Sequence, residues 1–343
     1  MSVSTSVNPY LPAVLQSSMQ YITPFGKTIF VDGTNGSDTN NGSSWGSAFA
    51  TIAAGIAEAA AGDTVVITPK TITAGATDPT SYAESLIIPA AKSSLTLLGI
   101  SRGRTQMGLP QIKPGGAVNG CALTIRASGC YIKNLGFNGN SAAGAPINNG
   151  IILDDNASTK SACGTTIENC HFKNCAGSTV TDAKTGGAIV WAATGGAWQV
   201  LIKGNRFYKN VADVCLLGTS TSVPQDVIIE DNIFSGPADA VDCNLWLKGG
   251  GSGMNGVIIR NNVFQQLPAL SSGQVLRYID ATGCVGMLVD NVFGCLTAAT
   301  GTTLTFLAAG TAGKIPTTMH VARNFGQSNT EAESGEISIG AES

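Results

Sequence analysis

The sequence predicts an all-β fold, a single-stranded parallel β-helix (solenoid) in which each coil repeats the one before it. Three observations predict this class: a repeat anchored on phenylalanine, alternating side chains within each copy, and turn residues at one fixed place. Six segments align on their phenylalanine without gaps, and these phenylalanines lie 35, 35, 27, 30 and 29 residues apart. The segments are Cys130–Phe137, Thr165–Phe172, Val200–Phe207, Val227–Phe234, Val257–Phe264 and Gly286–Phe293, with a weaker seventh copy at Met319–Phe325.

The position five residues before the phenylalanine is apolar in all six copies. It holds Ile132, Ile167, Ile202, Ile229, Ile259 and Leu288. β-Branched residues suit extended backbone, and side chains alternate between the two faces of a strand. This column is therefore predicted to stack in the interior of the solenoid, together with the phenylalanines.

A tight corner is predicted just before the phenylalanine. The later copies have Gly204, Asp231, Asn261 and Asp290 three residues before it, and these residue types tolerate left-handed backbone. An asparagine follows in each of these copies. We expect Asn205, Asn232, Asn262 and Asn291 to stack as a ladder of side-chain amides.

Earlier coils and a cap are predicted upstream of the repeat. Short apolar runs at 64–68, 86–88, 94–100 and 123–126 are typical of further strands. An open solenoid end exposes an unpaired strand edge and needs a cap. The alanine-rich segment at about 47–61 has apolar residues at helical spacing and suits that cap. The predicted organisation is an N-terminal arm (1–27), the β-helix (28–325) and an acidic C-terminal tail (326–343).

Composition and charge exclude several classes of protein. Only 12% of residues are charged, against roughly 25% in an ordinary soluble domain. The formal net charge of −3 argues against nucleic-acid binding, which needs a basic surface. No apolar run is long enough to span a membrane or to serve in a signal peptide. The nine scattered cysteines favour small buried side chains in a reducing compartment over a disulfide or zinc framework. No metal or other cofactor is predicted.

The segment from Phe30 to Thr68 combines a strand, a loop rich in glycine and asparagine, and the capping helix. It resembles the opening of right-handed parallel β-helix proteins of the pectin-lyase-like superfamily, and the chain is similar to phage tailspike and decoration proteins of that architecture. The resemblance implies a right-handed helix over about residues 28–325. It implies no particular activity, because lyases, hydrolases, epimerases, tailspikes and inert scaffolds share the fold.

The sequence contains no complete catalytic set of these enzymes. Asp239 and Asp242 keep the separation of two acids in the polygalacturonase-like motif, but the Asn-Thr before them is missing. Where a further acid pair should follow there are two asparagines, and an amide cannot act as a general base. Asp154 and Asp155 form an adjacent acid pair that could serve a lyase, although a turn is the favoured interpretation. These four aspartates are the candidates if the chain is an enzyme.

Two columns of the repeat are predicted to face outward. Four residues before the phenylalanine the charges alternate in sign, which favours a structural charge ladder; they are Lys133, Glu168, Lys203, Glu230 and Arg260. Six residues before it, Leu201, Ile228, Ile258 and Met287 form an apolar stripe. Such a stripe is rarely left open in a monomer, so either a loop or another subunit covers it. Tyr10 and Leu11 mark an apolar N-terminal arm that could dock on a neighbour or pack along its own solenoid.

These features together favour a non-enzymatic structural protein of a bacteriophage particle, either a decoration or a spike subunit on the capsid or tail. The expected partners are further copies of the chain, in a homotrimer, and a capsid or tail protein. We expect synthesis in the host cytoplasm, location in the virion, and no export by a signal peptide. The alternative is a β-helix protein that binds or cleaves polysaccharide, with a surface glycan as its partner. A bacterial adhesin is disfavoured by the lack of an export signal.

Overall fold

A computed structural model gives the fold of the chain. It describes residues 26–74, 76, 78–100, 108–115, 120–139, 148–153, 162–175, 187–191, 198–218, 223–237, 243–250, 253–266, 278–295, 315–328 and 335–337. These residues form an all-β parallel solenoid with three sheets and one short α-helix, so the predicted fold class is confirmed. Within the described ranges, no helix has the length and apolar character needed to cross a membrane.

The chain visits the three sheets in a fixed order, and each strand pairs with the strand of the next coil. Sheet 1 contains β1 Thr28–Val31, β2 Thr64–Ile67, β5 Thr96–Gly99, β8 Tyr131–Lys133, β11 Thr166–Glu168, β14 Leu201–Lys203, β17 Ile228–Glu230, β20 Met254–Arg260, β23 Cys284–Val289 and β25 Met319–Ala322. Sheet 2 contains β3 Tyr82–Ala83, β6 Gln111–Lys113, β9 Gly136–Asn138, β12 His171–Lys173, β15 Arg206–Asn210, β18 Ile233–Pro237, β21 Val263–Gln266, β24 Val292–Cys295, β26 Asn324–Ser328 and β27 Gly335–Ile337. Sheet 3 contains β4 Leu86–Ile88, β7 Cys121–Ile125, β10 Asn149–Leu153, β13 Ile189–Trp191, β16 Ala212–Leu217, β19 Cys243–Lys248 and β22 Ile279–Asp280. All pairings are parallel except that of β27, which lies in the predicted acidic tail and runs antiparallel to β26.

The core of the solenoid consists of stacked columns of identical or similar side chains. In sheet 1 the predicted interior column from Ile132 to Leu288 is in register and fully buried. In sheet 2 the six phenylalanines stack nearly face to face, with ring centroids 4.6–5.0 Å apart. Stacked aromatic rings in such contact stabilise a core beyond the area that they bury.

The seventh copy differs from the sequence alignment by one residue. Phe325 pairs with Val292, and Gly326 pairs with Phe293. Because side chains alternate along a strand, this register turns Phe325 outward, where it is 51% exposed. The phenylalanine stack therefore ends at Phe293, and Tyr278 packs obliquely against that ring at 5.3 Å.

The corner between sheets 1 and 2 has left-handed backbone at the predicted position. Gly204, Asp231, Asn261 and Asp290 all have φ between 56° and 64°. The next residue of each copy is a buried asparagine whose amide bonds to the coils on both sides. Asn324 of the seventh copy extends this ladder by one member, since its side-chain oxygen accepts the N–H of Asn291 at 3.1 Å.

The cap is a shorter helix than the predicted segment of about 47–61. Helix α1 is Ile52–Glu58. It begins late because Asp38 accepts the N–H groups of Ala50 and Thr51 at 2.9 Å, which holds them outside the helix. Residues of the following coil hold both ends of α1. Glu84 accepts the N–H groups of Ile52 and Ala53, and Lys92 donates to the carbonyls of Ile56, Ala57 and Ala59.

Candidate functional site

The predicted apolar stripe lies on the outward face of sheet 1. Backbone pairing places Leu201, Ile228, Ile258 and Met287 directly beside one another in consecutive coils. The first three side chains are half-buried, and Met287 is 41% exposed. We call these four residues the first stripe. Tyr10 and Leu11 of the predicted docking arm lie outside the described residues.

The charged column of sheet 1 runs beside the first stripe, and its members are joined by ion pairs. The Glu230 carboxylate accepts from Lys203 at 2.8 Å and from Arg260 at 2.6 Å, and Lys133 lies 3.2 Å from Glu168. Burial raises the pKa of the Glu230 carboxyl, but the hydrogen bonds from Lys203 and Arg260 outweigh it and leave that pKa below its usual value. The column is therefore electrically paired and suits a structural role more than a catalytic one.

The amide ladder fixes the corner between the first stripe and sheet 2. The Asn232 oxygen accepts the backbone N–H of Asn205 at 2.9 Å, and Asn262 and Asn291 repeat this contact one and two coils further on. The side-chain amides of Asn232 and Asn262 also donate to backbone carbonyls of the preceding coil, each at 2.9 Å. Buried networks in which every group is paired hold one arrangement. The faces on both sides of this corner are therefore rigid.

A second outward column of apolar residues lies on sheet 2, beyond the same corner. Ile233, Val263, Val292 and Phe325 pair with one another in consecutive coils. Their exposed fractions reach 36% for Ile233, 43% for Val292 and 51% for Phe325. We call these four residues the second stripe. Sequence reasoning missed it, although the position just before the phenylalanine is apolar in the last three copies.

From β13 to β22, the side of sheet 3 that faces away from the main core is buried. Val190, Cys215 and Trp246 pack there as a separate apolar cluster. Next to them Lys248 donates to Asp280 at 2.6 Å and lies 4.9 Å from the Trp246 ring. Because Thr282 donates to the other Asp280 oxygen at 2.8 Å, this carboxylate is fully engaged and poorly placed to act as a base. The repeat did not reveal this cluster.

The four catalytic candidates, Asp154, Asp155, Asp239 and Asp242, lie outside the described residues. In the sequence, Asp154 directly follows the last residue of β10, and Asp242 directly precedes the first residue of β19. In the described part of the chain, no group of three His, Cys, Asp or Glu side chains could hold a metal ion. Eight of the nine cysteines are free thiols in the structure, and burial raises the pKa of Cys130, Cys170 and Cys284 to about 12. These three thiols are therefore poor nucleophiles.

His171 lies beside Phe172 on the outward side of β12 and is 2% exposed. Burial, together with the nearby charge of Lys173, lowers the pKa of His171 to about 4. Lys173 in turn forms an ion pair with Asp78, in the segment between β2 and β3. His171 is thus held neutral and acts as a structural group.

A pH titration of stability tests this assignment. Between pH 6.5 and about 4 the unfolded chain binds a proton at His171 that the folded chain does not. The free energy of unfolding is therefore expected to fall as the pH falls through this window, by up to about 1.4 kcal/mol per pH unit. His171→Gln should remove that part of the slope in urea titrations at each pH. His320→Gln, at an exposed site, is the control, and an equal slope in wild type and His171→Gln would contradict the assignment.

Comparison with known proteins places the fold but not a family. No protein-family model matches the chain, and no curated protein matches it. The GH136 lacto-N-biosidase from Eubacterium ramulus is similar in structure, with a TM-score of 0.50 at 10% identity over 93% of this chain. The chain spans 66% of the length of that enzyme.

Two further solved structures are more distant. The pectate lyase Pel9A is 13% identical over 87% of this chain and 79% of its own, with a TM-score of 0.47. The tailspike protein of E. coli bacteriophage HK620 is 14% identical over 78% of this chain and 49% of its own, with a TM-score of 0.35. The chain therefore shares the parallel β-helix fold with the GH136 enzyme, and this likeness indicates the fold alone.

Proposed function

We propose that the chain is a non-enzymatic structural protein of a virus particle, a bacteriophage decoration or spike subunit on the capsid or tail. The observation that carries this proposal is the first stripe, four apolar side chains in line on an outward face with Met287 41% exposed. Monomeric proteins rarely leave such a surface open. In such a particle the stripe would be covered by further copies of the chain or by a capsid or tail protein.

The mechanics of the fold suit this role. A structural subunit needs rigid faces, and the sheet that bears the first stripe is braced by the amide ladder and by the pairs that Glu230 forms with Lys203 and Arg260. Pairing these charges lets the face be covered without leaving a lone charge away from water. The proposed assembly is a homotrimer located in the virion, and no cofactor takes part in this role.

Fractionation of the native source tests the proposal. Lysates are sedimented, the chain is located in the fractions with an antibody, and the fractions are imaged by electron microscopy. Recovery in megadalton particles with regular projections is the expected result, and antibody labelling of those projections would give the position of the chain. Recovery only as a free monomer or small oligomer would overturn the assignment to a particle.

A single charge on the first stripe provides a second test. Ile258→Asp is expected to leave the solenoid folded, because the side chain points outward, but to abolish assembly, because the carboxylate would be buried without a partner. Circular dichroism checks the fold and sedimentation velocity checks the oligomer. Ile87→Asp is the matched control, since Ile87 is an outward strand residue of sheet 3 that is 44% exposed. A wild-type oligomer in Ile258→Asp would instead favour a covering loop over the stripe.

A second candidate function is binding or cleavage of polysaccharide. The observation that favours it is the likeness of the fold to the GH136 lacto-N-biosidase, at a TM-score of 0.50. A panel of host polysaccharides tests this function by the release of reducing ends or unsaturated products. Cleavage that is lost in Asp239→Asn or Asp242→Asn would establish it, and a blank panel with no glycan retained would remove it.

A further inference from the structure

We propose that the first stripe of one copy packs against the second stripe of the next copy, so that each chain offers two different surfaces to its neighbours. This inference names the partner of the surface on which the proposed function rests. The two stripes lie on neighbouring faces, one on sheet 1 and one on sheet 2, on either side of the corner that the amide ladder holds rigid.

The spacing of the two stripes identifies a second copy as the occupant. Each stripe has four members, one in each consecutive coil, and backbone pairing places successive members about 4.8 Å apart. A partner without this repeat could match one or two members of a stripe. A second solenoid that lies alongside the first has the same repeat and can match all four. This chain has both halves of such a contact.

Charge complementarity agrees with this occupant. Beside Ile233, Val263 and Val292 the other outward positions of sheet 2 are Ser235, Gln265 and Gly294, which have no charge. Charged residues stand at the two ends of the second stripe, where Arg206 pairs with Ile233 and Glu336 pairs with Phe325. The charges beside the first stripe pair with one another through Glu230. At the corner between the faces, Arg323 donates to both Asp290 oxygens at 2.7 Å. The middle of the two faces can therefore meet without burying an unpaired charge, while Arg206 and Glu336 lie at the ends of the contact.

The contact between two different surfaces also sets the type of assembly. Such a contact is heterologous, and it either closes into a ring or continues as a filament. Because the two faces meet at one corner, successive copies turn about that corner and close into a ring with the amide ladder toward its axis. Three is the smallest number of subunits that a heterologous ring can have. This agrees with the homotrimer expected from the sequence.

The experiment uses the purified full-length chain and two classes of variant. Val292→Asp places a charge on the second stripe, and Met287→Asp places one on the first; both side chains are more than 40% exposed, so the fold should tolerate the change. Each variant alone is expected to raise the dissociation constant of the oligomer by about 100-fold or more. Ile87→Asp, at 44% exposure on sheet 3, should assemble as wild type does. Sedimentation velocity reports the mass, and circular dichroism confirms that each variant folds.

Mixing the two variants gives the decisive result. Val292→Asp retains an intact first stripe and Met287→Asp an intact second stripe, so one wild-type contact can form between them. An equimolar mixture is therefore expected to form one-to-one dimers, whereas each variant alone stays monomeric. If Val292→Asp fails to fold, Phe325→Asp takes its place on the second stripe. If Met287→Asp fails to fold, Ile258→Asp takes its place on the first stripe.

Three results would overturn the inference: a monomeric wild type, a Val292→Asp oligomer like that of wild type, or a mixture that stays monomeric. The second result would leave an interface formed by the first stripe alone. Failure of the inference and failure of the proposed function are distinct outcomes. A purified trimer with the expected variant behaviour, absent from particles, would keep the inference and end the virion assignment. If the chain is found on particles but its Val292→Asp variant still assembles like wild type, the virion assignment is kept and the inference is overturned.

Discussion

Replacing Asn262 with leucine is expected to lower the free energy of unfolding by about 3–6 kcal/mol. The Asn262 oxygen accepts both the backbone N–H and the side-chain amide of Asn232 at 3.0 Å. Its own amide donates to the carbonyl of Ile229 at 2.9 Å and to the Asn291 oxygen at 3.0 Å. Leucine has a similar volume but can make none of these bonds. Four buried polar groups would each lose a hydrogen bond, and of these the Asn232 side-chain amide and the Asn291 oxygen keep another partner. Each group left unsatisfied costs about 1–3 kcal/mol.

The neighbouring residue provides the control for this substitution. Asn261 is exposed and has a φ of 56°, so Asn261→Gly keeps the backbone geometry and removes no buried hydrogen bond. Its unfolding free energy should stay within about 0.5 kcal/mol of wild type. Urea titrations of both variants measure the difference. Equal losses in the two variants would mean that the corner depends on its backbone conformation, and that the ladder contributes little.

The parts of the fold that the sequence predicts are those with a fixed offset from the phenylalanine. Ile202, Phe207 and Asn205 recur at the same distance in successive copies, because each coil passes through the same two strands and the same tight corner. A change of one residue in that offset cannot be recognised from the sequence alone. Met319–Phe325 looks like a seventh copy, but its phenylalanine comes one residue early and takes the outward position beside Val292.

The parts that the sequence does not predict depend on segments of variable length or on contacts between distant residues. The return to sheet 3 has a different length in each coil, so Trp246 and Asp280 stand at no constant distance from a phenylalanine and escape the repeat. The start of α1 is set by Asp38 and Glu84, which are far from it in the sequence. The second stripe is an exception, because Ile233, Val263 and Val292 share one alignment position and can be predicted from the repeat.

Replacing Phe234 with alanine is expected to lower the free energy of unfolding by about 3–5 kcal/mol. The Phe234 ring is fully buried and stacks between Phe207 at 4.9 Å and Phe264 at 4.6 Å. Removing the ring takes its apolar area out of the core and leaves a cavity that the rigid coils above and below cannot close. Phe234→Leu should cost less, because leucine fills most of the space but loses the stacking with both neighbours.

Phe325→Ala is the matched comparison, and it separates the two possible registers of the seventh copy. If Phe325 continued the interior stack, as the sequence alignment suggests, its loss would approach that of Phe234. In the observed register the ring is 51% exposed, so the loss in a monomer should be within about 0.5 kcal/mol. Urea titrations of both variants in the Ile258→Asp background measure this without a contribution from assembly. A large loss of unfolding free energy for Phe325→Ala in that background would place the ring inside the solenoid and remove it from the second stripe. A small loss would leave the ring at the surface, where it can contact a neighbouring copy.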